Sequence, residues 1–307
     1  MDDVFKVGYL PIADHVILAI TKFKVDNGHE VHTPPVEIIQ KTECSEIEDA
    51  LINGEIDIAF MPVPCAMNLY YMENKIKLLL LSHRNGSVII TNKNANIRDA
   101  EDFRGKVVLI PHHASIQHIM VHKFLAEEGL FYAPDGEVMA EVAHPGQILE
   151  MIENDTDGQI AGYMAPEPYG TVAVNSGLGD VFKLSGELLP GHLCCGIVAR
   201  DEIIKKYPDE IAALVKSFVQ SGLSVKNAPS VAAKIAAPFL NQPDDLISQI
   251  LEDPFERIIT DRLMPNMAEF DIIQDYLFDY VPVPAISGKI DIAGFVDLSF
   301  AQAAGAK

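Results

Sequence analysis

Thiols, imidazoles and carboxylates stand at the ends of several short apolar runs in this chain. Asp14 and His15 follow Leu10-Pro11, and Pro64 and Cys65 follow Ile58–Met61. His112, His113, Ser115 and Gln117 follow Val107–Ile110, Glu167 follows Gly162–Ala165, and His192 precedes the adjacent Cys194 and Cys195. Such groups can relay protons, pair with a bound solute or hold a zinc-class ion. Their spacing does not select among these chemistries. There is no Cys-x-x-Cys and no spaced Cys/His finger. His118 and His122 stand four apart, but without the partner Glu of a zincin helix. A Gly-x-Ser-x-Gly elbow, a phosphate-binding Gly-x-x-x-x-Gly-Lys loop and a Gly-x-Gly-x-x-Gly fingerprint are all absent from the sequence. A hydrolase and a nucleotide-binding protein therefore have no support, and no residue is assigned a catalytic role. A metal-binding module, with Asp14, His15, His112, His113, Glu167 and His192 converging, stays open beside a reading with no metal and no cofactor. Each group also has a plain structural role available. Asp14 and Ser115 can cap helices, and Cys194 and Cys195 can be core thiols.

The elements that would position these groups alternate between strand and helix. Phe5–Leu10 reads as a strand stopped by Pro11, followed by a helix through Val16, Ile20 and Phe23 that ends at Asn27-Gly28. A strand at Val36–Ile39 precedes Ser45-Glu46-Ile47-Glu48, a capping-box pattern. Strands are predicted at Ile56–Phe60 and Ile76–Leu81, with a helix at Ala66–Met72 between them. After His83-Arg84-Asn85-Gly86 the texture repeats. Strands are expected at Ser87–Thr91, Val107–Ile110, Glu137–Val142 and Gln159–Met164, with helices at Ser115–Glu128 and Pro145–Glu153. Two segments share one plan: a helix leading to Ile56-Asp57-Ile58-Ala59-Phe60, and a helix leading to Gln159-Ile160-Ala161-Gly162-Tyr163. That repetition suggests two similar α/β lobes. From Asp201 onward the chain reads as mostly helical, with Pro208 at the start of a long amphipathic helix and Pro229, Pro243 and Pro254 opening or punctuating later ones.

The 307 residues suffice for two compact lobes, and no apolar run is long enough to cross a membrane. With 44 acidic and 23 basic residues the net charge is −21. That surface repels phosphate backbones and anionic lipid, which argues against nucleic-acid partners. Four cysteines, two of them adjacent, make a disulfide framework a poor fit. The start, Met1-Asp2-Asp3-Val4-Phe5-Lys6, lacks the basic and apolar regions of a signal peptide. Two locations are therefore carried forward: cytoplasmic as the sequence stands, or periplasmic or cell-surface if a leader has been removed.

Four ordered stretches carry a resemblance: Gly8-Tyr9-Leu10-Pro11-Ile12-Ala13-Asp14-His15, Gly54-Glu55-Ile56-Asp57-Ile58-Ala59, Gly105–Pro111 with the helix after it, and Gly162–Tyr169 followed by His192-Leu193-Cys194-Cys195. The chain resembles the nitrate/sulfonate/taurine-type substrate-binding proteins of ABC transporters, relatives of the thiamin-pyrimidine precursor proteins. The resemblance implies an α/β, two-lobed fold of the type II periplasmic binding protein kind, with two hinge-crossing strands. It implies lobe I at residues 1–86 and 193–307 and lobe II at 87–192. A small solute, either a nitrate-, sulfonate- or bicarbonate-like anion or a pyrimidine-like heterocycle, would lie between the lobes, and an ABC permease would receive it. A monomer is expected. In open α/β sheets ligands sit beyond the carboxyl ends of strands. This gives Asp14, His15, Pro64, Cys65, Ser87, His112, His113, Ser115, Gln117, Glu167 and Cys194 as candidate solute-binding residues. The alternative is a cytoplasmic enzyme similar to the thiamin-pyrimidine synthases. The chain departs from that pattern: Met61–Tyr71 holds no lysine for a pyridoxal cofactor, and two cysteines stand where those proteins carry a longer cluster.

Overall fold

The structure, a computed structural model, describes residues 4–32 and 34–307. Thirteen strands are present among them: β1 (Phe5–Tyr9), β2 (Val36–Gln40), β3 (Ile58–Pro62), β4 (Ile76–Leu81), β5 (Arg84–Asn85), β6 (Ser87–Asn92), β7 (Val107–Ile110), β8 (Tyr132–Ala133), β9 (Val138–Val142), β10 (Ile160–Pro166), β11 (Gly179–Leu184), β12 (Cys195–Arg200) and β13 (Ile258–Ile259). They form two sheets and a ribbon. The first sheet has the order β2-β1-β3-β12-β4, and the second β11-β6-β10-β7-β9-β8. Within each sheet parallel neighbours (β2-β1-β3 and β10-β7-β9-β8) are joined to antiparallel ones, β12 in the first and β6 in the second. The molecule is α/β and two-lobed, one lobe on each sheet.

Alternation along the strands builds the cores, because successive side chains leave opposite faces of a sheet. On β3, Ile58 and Phe60 pack with the helix α1 (Val16–Asp26) and with Phe218 of the long helix Pro208–Asn227. Ala59 and Met61 face the other way, toward α2 (Cys44–Ile52) and α3 (Val63–Glu73). On β10, Tyr163 and Ala165 face one core while Ala161 and Met164 face α4 (Ile116–Glu127) and its neighbours. Each fully buried Phe or Leu contributes about 1.5–3 kcal/mol.

The chain passes from the first sheet to the second between β4 and β6, and returns between β11 and β12. The two crossings run side by side. Arg84 bridges Leu193 in antiparallel fashion, the Asn85 N–H donates to His192 O (3.0 Å) and the Ser82 N–H to Cys195 O (3.0 Å). The C-terminal region clasps the outward crossing: β13 pairs with β5, and the Gly86 N–H donates to Arg257 O. The Arg84 guanidinium, next to the hinge in sequence, turns away from the cleft. It forks onto Glu269 (2.7 and 3.1 Å) and donates to the carbonyls of Gly191, Arg262 and Met264.

Two local expectations are corrected. Asp14 does not cap α1. It lies in a short 3-10 turn, Ala13–His15, and α1 begins at Val16 with no side-chain cap. The Ser45–Glu48 capping box does not form either. Glu46 takes that role, its carboxylate accepting from the Thr42 N–H (2.7 Å), the Thr42 hydroxyl (2.8 Å) and the Glu43 N–H. Ser115 does cap α4, accepting from the His118 N–H at 3.1 Å. None of the described helices is long and apolar enough to cross a membrane.

Candidate functional site

A cavity of about 460 Å³ lies between the two sheets. Its wall is made of loops that leave strand carboxyl ends and enter helices. From the first lobe come Leu10–Ile12 with Asp14, then Thr42–Ser45 at the start of α2, and Pro62 with Cys65 at the start of α3. From the second come Pro111, His112, Ser115 and Gln117 at the start of α4, and Val142 with His144, Pro145 and Gln147 at the start of α5 (Pro145–Asn154). Pro166, Tyr169, Cys194 and Cys195 complete it. The first turn of a helix carries N–H groups without intrahelical partners and the positive end of its dipole.

Of the eleven residues proposed from sequence, Asp14, Cys65, His112, Ser115, Gln117 and Cys194 line this cavity. Five do not. Ser87 is one step behind it and accepts from Gln117 Nε2 at 2.8 Å. Pro64 lies in the first turn of α3. The buried His15 ring packs edge-on against Phe60 and bonds through Nδ1 to Leu10. His113 is exposed, and its carbonyl bonds to His118 Nδ1 at 2.8 Å. Glu167 is fully buried elsewhere. It accepts from the Thr171 N–H (2.9 Å) and hydroxyl (3.1 Å) and pairs with Arg257 at 2.7 Å. Burial pushes the Glu167 carboxyl up, against the pull of Arg257 and Thr171. The convergent His/Asp/Glu set considered for a metal module is therefore dispersed: His192 is buried with Nδ1 on Leu193 O, away from His112 and Glu167.

Lining residues that sequence reasoning missed come from two loops, Thr42–Ser45 after β2 and His144–Gln147 after β9. The signal was available, since both follow parallel strands and so open on the same side as the loops that were chosen.

Two side-chain clusters give the cavity its chemistry. Its floor holds Asp14, His83, Cys194 and Cys195, all buried. Asp14 Oδ2 lies 3.2 Å from His83 Nε2 and 3.8 Å from each thiol. Burial disfavours the charged His83 ring, but the Asp14 carboxylate and the Cys194 thiol outweigh it and hold its pKa at about 10. Its rim holds Cys44, Glu48, Cys65 and His112. The Cys44 thiol donates to Glu48 (3.7 Å), and Cys65 lies 3.9 Å from His112 Nδ1 while donating to Ala114 O (3.5 Å). Interaction with Cys44 and then with His112 lowers the Cys65 pKa despite burial, and Cys65 in turn raises that of His112. Burial and the Cys65 charge push Glu48 up to about 7.

Contacts across the cleft hold the lobes together on both sides. At the hinge side the Ala13 N–H donates to Glu167 O (2.8 Å) and the Glu167 N–H to Gly86 O (2.9 Å). At the mouth His144 Nε2 lies 2.8 Å from Thr42 O.

Solved structures share this architecture. The ligand-binding component of an ABC-type import system from Staphylococcus aureus, solved with zinc bound, superposes with a TM-score of 0.84 at 22% identity, covering 98% of each chain. The periplasmic nitrate-binding protein NrtA of Synechocystis PCC 6803 gives 0.83 at 15% identity, covering 98% of this chain and 88% of that one. The alkanesulfonate-binding protein SsuA of Xanthomonas axonopodis pv. citri, bound to MOPS, gives 0.74 at 13%, covering 96% of this chain and 98% of that one. Among curated proteins, the nitrate import ATP-binding protein NrtC of Synechocystis sp. is 27% identical over 236 residues, 70% of this chain. The aligned part spans 34% of that relative's length. The model of the NMT1-like family matches residues 2–239, most of the sequence, and the chain belongs to that family.

Proposed function

We propose that this protein captures a small anionic solute in the cavity between its lobes and delivers it to the permease of an ABC importer. The observation that carries this reading is the convergence of four helix N-termini, those of α2, α3, α4 and α5, on a single 460 Å³ cavity. The positive ends of their dipoles favour an anion without a lysine or arginine in the wall, while several first-turn N–H groups are already taken by Ser115, His144 and the Cys194 carbonyl. The volume exceeds what a bare inorganic oxyanion fills and falls in the range of organic ligand sites. A sulfonate or carboxylate with an organic tail is therefore the favoured solute. A pyrimidine-like heterocycle is the second reading, because the Tyr169 ring and the Gln117 and Gln147 amides offer stacking and paired hydrogen bonds.

The proposed lobes are residues 1–86 with 193–307, and 87–192. Closure of one on the other around the solute is the working motion, and no reaction is assigned to the cleft. The protein is read as a monomer acting on the outer side of a membrane. The test is a thermal-shift and calorimetric screen of nitrate, bicarbonate, alkanesulfonates, carboxylates and pyrimidines. A true solute at a hundred times its dissociation constant adds about 2.7 kcal/mol to stability. If no member of the panel raises the unfolding temperature, the reading fails.

A further inference from the structure

We propose that Asp14, His83, Cys194 and Cys195 form a four-ligand site for a single zinc-class divalent ion at the floor of the cleft. The donor set is two sulfurs, one imidazole nitrogen and one carboxylate oxygen, the mixture that suits a tetrahedral zinc-class centre. All four side chains are buried, and their ligand atoms lie within 4.8 Å of one another. With ordinary zinc bond lengths, the edges of such a tetrahedron are about 3.3–3.8 Å. The three edges that meet at Asp14 Oδ2 are 3.2, 3.8 and 3.8 Å.

Three further observations point to a ligand rather than a closed hydrogen-bond network. First, Asp14 Oδ1 and His83 Nε2 are buried with no hydrogen-bond partner. The 3.2 Å approach of His83 Nε2 to Asp14 Oδ2 thus lacks the alignment of a hydrogen bond. An orphaned buried carboxylate oxygen is costly unless something satisfies it. Second, neighbouring strand residues ordinarily point to opposite faces, yet Cys194 and Cys195 both reach the same carboxylate oxygen. The chain departs from regular strand just before β12 to achieve this. Third, the outer partners that orient metal ligands are in place. The Ser82 hydroxyl lies 3.1 Å from His83 Nδ1 and leaves Nε2 facing the cluster, and Gln117 Nε2 donates to Cys194 Sγ at 3.6 Å. Gly86 opens the approach, since a Cβ there would stand 2.6 Å from Asp14 Oδ1 and 3.0 Å from His83 Nε2. Because Asp14, Cys194 and Cys195 line the cavity, an ion has a route in.

Loading replaces protons with the ion: each thiol gives up one, His83 Nε2 gives up the one it carries, and all pass to solvent. The site then carries two thiolates, a neutral imidazole and a carboxylate around a dication. Its existence does not depend on which solute the cavity takes.

The test is titration of the full chain, stripped of metal and kept in a non-thiol reductant, with Co²⁺ and then Zn²⁺. We expect one Co²⁺ per chain, the visible bands of a tetrahedral site and near-ultraviolet sulfur-to-cobalt charge transfer, all abolished by Zn²⁺. The paired variant Cys194→Ser/Cys195→Ser loses the charge-transfer bands, whereas Cys44→Ser/Cys65→Ser, at the rim, keeps them. His83→Gln keeps both thiols and still shifts the visible bands and weakens binding. Gln117→Ala weakens it about 10- to 100-fold. Absence of sulfur-to-cobalt bands in the native chain overturns the site, and so does their loss in the rim variant with retention in the floor variant. Should the floor variant fail to fold, His83→Gln decides: unchanged bands and affinity overturn the proposal. The solute screen is run on metal-free protein, so a negative result in one experiment leaves the other standing.

Discussion

The two sides of the cleft are built on different terms. At the hinge side the buried carboxylate of Glu167 is answered by Arg257 and Thr171, and its backbone by Ala13 and Gly86. At the mouth the contacts are fewer and wetter. The bond of His144 to the Thr42 carbonyl is exposed and the contact of Cys65 with His112 half-buried, although the thiol itself is buried. In a low-dielectric interior a broken pair is expensive, whereas near water it is cheap. The hinge side therefore carries stability and the mouth carries adjustability, which is the division that a closing trap needs.

Four substitutions test that division, the two hinge-side ones, with the larger expected effects, first. Arg257→Ala removes the charged partner of a fully buried carboxylate and should cost about 3–5 kcal/mol in denaturant unfolding. A loss under 1 kcal/mol would show that the hinge side is not the stable one. Gly86→Ala places a Cβ at a φ of +96° and against Asp14. It should cost about 1–3 kcal/mol, read by thermal unfolding. At the mouth, His112→Gln should change stability by less than about 1 kcal/mol but act on Cys65. The imidazole is one of the groups holding that thiol's pKa below its ordinary value. Without it the pH midpoint of alkylation at Cys65 moves upward, followed by mass spectrometry of the labelled peptide. A midpoint that stays put would separate the two residues. Last, His144→Ala removes two exposed bonds, to Thr42 O and from the Gly146 N–H that it caps, and should cost no more than about 0.5–1.5 kcal/mol. Its larger signature is a wider solute-free radius of gyration in solution scattering.

How much of this was legible in the sequence varied with the kind of signal. The apolar runs fixed the strands Phe5–Tyr9, Ile76–Leu81 and Val107–Ile110 to within a residue or two, because burial on both faces along most of their length leaves little choice of residue. The cleft loops followed from strand polarity, and six of the eleven proposed residues line the cavity. Side-chain direction was not legible. Ser45–Glu48 has the spacing of a capping box, but Glu46 sits closer to the free N–H groups of Thr42 and Glu43 and wins. Asp14 read as a cap because nothing local reveals that a 3-10 turn intervenes and that His83 waits sixty-nine positions later. Glu167 sits in a cleft loop by sequence, yet its partner Arg257 lies ninety residues away, where no pattern announces it. Pairings between distant segments are set by the tertiary fold, and those are the ones the spacing of motifs cannot supply.

The outward crossing has one more consequence. Asn85 and Gly86 are consecutive residues with left-handed backbone, at φ +61° and +96°, and the segment before them is pinned by β13 and by the five bonds of Arg84. Gly86 itself is held on both sides, its N–H by the Arg257 carbonyl and its carbonyl by the Glu167 N–H, and the return path is bridged at Leu193, so any opening of the cleft has to work against these bonds. Opening would part Cys65 from His112, which face each other across the cavity, and would leave Asp14, His83, Cys194 and Cys195 together.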